Sequence, residues 1–114
     1  ARRRKFLVAR EHLLDTAMTA FLLVANPDRL SILESRKIAA ILTRFSIAVS
    51  MVVVNRVLPE DAGGAFLQAR REQEQAYLHE INLTFADLPR IVVPLLANDV
   101  HGLSSLRELG RLIV

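Results

Sequence analysis

Three short apolar runs, set apart by helix-periodic stretches, constrain this chain more than any other feature. They are Ala20-Phe-Leu-Leu-Val-Ala25, Ala48-Val-Ser-Met-Val-Val-Val54 and Arg90-Ile-Val-Val93. A continuous apolar run of this length fits a strand buried on both faces, as in a parallel sheet. The middle run is the strongest strand signal because it is rich in β-branched residues. Each run ends in a breaker: Asn26-Pro27-Asp28, then Asn55-Arg56 with a loop over 58–64, then Pro94. Strands alternating with helices predict a three-layer α/β fold. Its sheet is mainly parallel, with flanking helices and right-handed crossovers. Ligands then belong at the C-terminal ends of the strands, on the loops over 26–30, 55–64 and 94–102.

Helical spacing fills the gaps. Residues 1–15 carry Phe6, Leu7, Leu13 and Leu14 on one side with Arg10, and start abruptly at the basic run Arg2-Arg3-Arg4-Lys5. That start predicts a chain that begins inside an element. Ser31-Ile-Leu-Glu34 reads as a capping box opening the second helix, with Ser31 on the Glu34 amide. Leu33, Ile38, Ile41, Leu42 and Phe45 are expected inward, and Glu34, Arg36, Lys37 and Arg44 outward. A third, polar helix over 66–83 has Phe66, Ala69, Tyr77 and Ile81 as its sparse apolar side. A fourth over 103–112 points Leu103, Leu106, Leu109 and Ile113 inward.

Composition removes several function classes. A chain of 114 residues is long enough for a single core. It has no cysteine, which excludes disulfides, thiolate metal sites and cysteine nucleophiles. Five Phe, one Tyr and no Trp argue against base-stacking recognition of single strands. The pI near 10.2 raises a nucleic-acid binder as a rival reading. However, the 15 basic and 12 acidic residues are interspersed except at the N-terminal basic run, so no nucleic-acid partner is expected. No stretch reaches the roughly 18 apolar residues of a spanning helix. The basic start leads into Glu11 and Asp15, unlike a secretory signal. A cytoplasmic protein is expected.

Most chemical motifs are missing. There is no GxxxxGK[ST] phosphate loop and no GxGxxG. Gly63-Gly64 needs only turn geometry. His12, His79 and His101 lack metal-ligand spacing and read as solvated, so no metal site is expected. Ser50 reads as a packing residue inside its strand, and Arg70, Arg71, Glu72 and Glu74 as a solvated helix face. Three residues stand out at the ligand edge. The Asn55 amide could pair with a donor and an acceptor on a purine edge, or make an Asx turn that ends the strand. Asp28 sits at the tip of its loop, either as a turn residue and helix N-terminal charge or as a ligand contact. Pro94 ends the third strand, whether or not it also lines a site.

Four segments in order resemble the anion-transporting ATPases, the family of the bacterial arsenite-pump-driving ATPase and the eukaryotic ATPase that targets tail-anchored proteins. Residues 21–36 resemble a strand–loop–helix with an apolar strand, Pro-Glu, a Leu and Glu-Thr two turns on. Val52-Val-Val-Asn-Arg-Val-Leu-Pro59 resembles a Val-Val-Asn-Arg-Val strand end, and residues 68–77 an Arg/Gln-rich helix. Val93-Pro-Leu-Leu-Ala-Asn-Asp-Val-His-Gly-Leu103 resembles a Pro-Leu…Glu-Val-Arg-Gly-Leu loop.

The resemblance implies a SIMIBI-class P-loop ATPase that works as a nucleotide-sandwich homodimer with ATP and Mg. Residues 1–114 would be a single C-terminal segment. The phosphate loop, switch aspartates and helical subdomain would lie upstream, so the segment holds no catalytic residue or Mg ligand. By resemblance, Asn55 hydrogen-bonds adenine. Pro94, Leu95 and Leu96 through Asp99 close over the base, and Asp28 reaches nucleotide across the dimer. A membrane pump or a hydrophobic membrane-protein client would be the further partner. Departures mark a divergent member: Asp28 for Glu, Ser35 for Thr, Asp99 for Glu and His101 for Arg. Gly64 and Leu67 stand where some relatives have a zinc-binding Cys-x-x-Cys, which rules out that staple. The rival within this frame is a non-enzymatic interaction module that kept the α/β scaffold and lost the ATPase half.

Overall fold

The computed structural model describes residues 2–61, 63–96 and 100–113, with Ile113 described by its backbone alone. Its strands are β1 (Phe21–Ala25), β2 (Val49–Val57) and β3 (Arg90–Pro94), parallel and in the order β1-β2-β3. Its helices are α1 (Arg2–Leu14), α2 (Arg29–Arg44), α3 (Ala65–Thr84) and α4 (Gly102–Ile113). The expected alternation and the parallel sheet are both present. β2 sits in the centre because its valines can pack on both sides, and Val52, Val53, Val54 and Val57 are all buried.

The core forms where α2 and α3 lie against one face of the sheet. Leu23, Ile32, Val52, Val54, Val57, Ile81 and Phe85 make one buried cluster, with Ala39, Tyr77 and Leu78 packed on its margin. Ile32, Ser35 and Ala39 recur at helical spacing on α2 and carry its contact with the sheet. Of the expected inward set, Leu42 is half-buried on this side, but Leu33, Ile38, Ile41 and Phe45 are exposed. α2 is apolar on two sides, and only the Ile32 side meets the sheet. Arg36 ties α2 to α3 by donating to Glu80 at 3.1 Å and Thr84 at 2.9 Å.

The start of α2 also differs from the expected capping box. Asp28 is the N-cap, extended at φ −141°, and its carboxylate accepts the Ser31 N–H at 2.7 Å. The Ser31 hydroxyl accepts the Asn26 N–H at 2.9 Å, not the Glu34 amide. Pro27 fixes its own φ and favours an extended Asn26, and Asp28, three residues before Ser31, takes the cap position. α2 ends with Ser46 in the left-handed region at φ 59° and Ile47 N–H on the Leu42 carbonyl at 2.8 Å. That is the closure in which glycine is usual.

Two further expectations about burial change. Phe66 lies three turns before Tyr77 on the same side of α3, yet is 77% exposed. Leu103 and Leu106 of α4 are exposed, and Leu109 is half-buried against the sheet. α1 buries none of its residues. Correspondingly, the molecule is 59 Å long, with a radius of gyration of 17.2 Å against about 13 Å for a compact chain of this length. β1 is covered on one face only: Leu23 and Ala25 are buried while Leu22 and Val24 are 54% and 57% exposed. Ser50 is exposed rather than packed.

Candidate functional site

The site is built by an irregularity in the β2–β3 ladder. Pairing runs Val52↔Arg90, Val53↔Ile91, Val54↔Val92, then jumps to Val57↔Pro94. Three steps along β2 are thus matched by two along β3, the signature of a bulge with one extra residue. The surplus falls at Asn55-Arg56. Arg56 takes φ 62°, a left-handed conformation costly for a residue with a Cβ. Beyond the bulge the ladder closes again, with Leu95 N–H donating to the Val57 carbonyl at 2.7 Å. Asn55 therefore does not end the strand as an Asx turn would. It lies inside β2, half-buried, at a point where pairing has been opened.

Bulges re-aim side chains, and here the result is a cavity of about 300 Å³. Asn55, Pro94, Leu95 and Leu96 line it together, with Val93 of β3 and Leu109 of α4 behind them. Four of the six ligand-contact residues expected from the sequence thus share one cavity. A fifth, Asp99, lies outside the described residues. Val93, Pro94, Leu95, Leu96 and Leu109 are apolar, Arg56 adds a guanidinium, and Asn55 supplies one amide with a donor and an acceptor. Such a volume stands at the small end of ligand sites and suits a ring system with polar edges.

Asp28, the sixth, is elsewhere. It borders a second cavity of about 410 Å³ between the β1–α2 and β2–α3 loops, with Arg56, Arg70, Gln73, Glu74 and Tyr77. Arg56 and Leu95 line both cavities, so they adjoin along that wall.

Two residues expected to be a solvated face prove structural. Glu74 is 8% exposed and accepts the Leu58 N–H with both carboxylate oxygens, at 3.0 and 3.2 Å. Arg71 donates to the Pro59 carbonyl at 3.0 Å. Glu74 shares the helix side of Tyr77 and Ile81, three and seven residues on, and that spacing was the signal available in the sequence. Arg56 was missed because a bulge depends on the partner strand. The histidines at 12, 79 and 101 are exposed, and among the described residues no group of His, Asp and Glu could hold a metal ion. No described helix is long and apolar enough to cross a membrane.

A parallel α/β sheet with these two cavities at its strand C-terminal ends belongs to the class that binds ligands along that edge. Within that class, the chain matches the model of the anion-transporting ATPase family over residues 2–114. The chain belongs to this family, and its sheet fits a segment of the P-loop NTPase fold. It is 32% identical over 93 residues to an Aquifex aeolicus protein named as an arsenical pump-driving ATPase 2, covering 82% of this chain and 31% of that one. It is 37% identical over 102 residues to a Halobacterium salinarum protein named as an arsenical pump-driving ATPase, covering 88% and 16%. It is 32% identical over 95 residues to ATPase GET3A of Arabidopsis thaliana, covering 82% and 27%. The chain spans less than a third of the length of these relatives.

Proposed function

We propose that this chain is the C-terminal, adenine-binding and dimer-contact segment of an arsenite-pump-like ATPase. The observation that carries the reading is the bulge that brings Asn55, Pro94, Leu95 and Leu96 around one cavity. Adenine matches it chemically. Its faces are apolar enough for the Pro94–Leu96 wall, and one edge offers a donor and an acceptor to a single amide. Asn55 orients the base, and the loop from Pro94 through Asp99 excludes water from it. Asp28 stands at the rim of the neighbouring cavity and approaches a nucleotide held by a second copy.

Hydrolysis belongs to the longer protein. ATP supplies the phosphoryl group and Mg neutralises its charge, with a phosphate loop outside this segment holding both. This segment positions the base and is not catalytic by itself. The exposed apolar face of β1, with Leu22 and Val24 uncovered, supports a segment that packs against further chain. In this reading the whole protein is a cytoplasmic homodimer that serves a membrane pump or a hydrophobic membrane-protein client.

Hydrogen exchange on the full-length protein, with and without ATP, tests the placement. The amides of Leu95 and Leu96 and of residues 54–57 should gain protection when ATP binds. Protection confined to other regions would contradict it.

A further inference from the structure

The cavity beside the base site has an unusual charge arrangement. Two carboxylates and two guanidiniums line it: Asp28, Glu74, Arg56 and Arg70. Both carboxylates are already committed to backbone amides, Asp28 to Ser31 at 2.7 Å and Glu74 to Leu58 at 3.0 and 3.2 Å. The guanidiniums are not matched in the same way. Among the described residues, Arg70 donates only to the neutral Gln73 side chain, at 3.3 Å, and Arg56 has no hydrogen-bond partner. An ion pair of Arg36 with Glu80 lies between α2 and α3 and involves neither.

Arg56 is also the residue that the bulge places on the wall common to both cavities. A glycine would take its left-handed backbone without strain, so the fold itself does not call for arginine there. An arginine offers a planar fork of donors matched to phosphate or carboxylate oxygens.

We propose that this second cavity takes a phosphate-type oxyanion, with Arg56 as its principal ligand and Arg70 as a supporting charge. The inference rests on the base-site reading for its geometry: a nucleotide whose base sits at Asn55 presents its next group to Arg56. The oxyanion is either that nucleotide's own phosphate or free inorganic phosphate, and the two sources separate experimentally.

The test measures binding of adenosine, AMP and inorganic phosphate to the full-length protein and to its Arg56→Gln variant. If the phosphate belongs to the nucleotide, Arg56→Gln weakens AMP about tenfold and leaves adenosine unchanged. If the source is free phosphate, the variant loses inorganic phosphate and leaves both the AMP and the adenosine affinity unchanged. Arg56→Gly, whose backbone suits the bulge, must reproduce the loss. The proposal is overturned if neither AMP nor phosphate binding changes, if adenosine and AMP weaken equally, or if the glycine variant binds like the natural protein. Failure of the base-site reading looks different: Asn55→Ala would then leave adenosine affinity unchanged, while the phosphate arm still reports on Arg56.

Discussion

Glu74 reaches from inside α3 to hold the N–H of Leu58, the residue immediately after β2, with both oxygens of its carboxylate. Arg71, one turn earlier, takes the carbonyl of Pro59. A helix in the middle of the chain thus clamps the loop that leaves the bulge. Replacing Glu74 by Ala strands the Leu58 amide and should cost about 1–3 kcal/mol in urea unfolding. Glu74→Gln keeps a carbonyl acceptor and should cost less. Equal stability of Glu74→Ala and the natural chain would show that water serves Leu58 as well as the carboxylate does.

Two residues with a Cβ sit in left-handed backbone, Ser46 at φ 59° and Arg56 at φ 62°. Glycine at either position removes the clash between Cβ and the neighbouring carbonyl, offset in part by its larger unfolded-state freedom. Ser46→Gly and Arg56→Gly should each raise stability by up to about 1 kcal/mol. A loss of stability at either position would contradict the strain argument there.

Helix contacts should rank by burial, not by charge. Arg36 and Glu80 are each nearly half exposed, with side-chain exposures of 45% and 42%. Arg36→Ala should cost less than about 1 kcal/mol even with its second bond to Thr84 lost. Ile81, fully buried at the centre of the core, should cost about 2–5 kcal/mol on truncation to Ala. Thermal unfolding of both variants reads the order directly, and a reversed order would refute it.

Asp28 combines a cap with the proposed reach across a dimer, and the two roles separate by substitution. Asn caps a helix about as well as Asp, so Asp28→Asn should keep stability within a few tenths of a kcal/mol. Asp28→Ala should lose about 0.5–2 kcal/mol. If the charge contacts nucleotide on a second copy, Asp28→Asn should still weaken nucleotide-dependent dimerisation, measured by sedimentation. Unchanged dimerisation would leave Asp28 with its capping role alone.

The architecture was legible because its signals are local. Apolar runs at 20–25, 48–54 and 90–93, each followed by a breaker, are enough to order a parallel sheet and find its ligand edge. Asn55 could be singled out, but not distinguished from a turn residue, since the bulge exists only in relation to Pro94 on another strand. Glu74 hid in a charged run, although its spacing from Ile81 places it on the core side. The apolar side of α2 was misjudged for a similar reason. Leu33, Ile38, Ile41 and Phe45 are as hydrophobic as the residues that pack, and only the position of the sheet selects Ile32, Ser35 and Ala39. The expected Ser31 capping box gave way to Asp28, three residues earlier, whose carboxylate takes the Ser31 N–H.

The most direct measurement is the affinity of the full-length protein for ATP with and without the Asn55 side chain. Asn55 lies within a strand that the buried valines of β2 hold in place, so Asn55→Ala should leave the circular dichroism spectrum unchanged. Loss of the base-pairing amide should weaken ATP binding by about tenfold or more. An unchanged dissociation constant in a folded variant would contradict the assignment of this cavity to adenine.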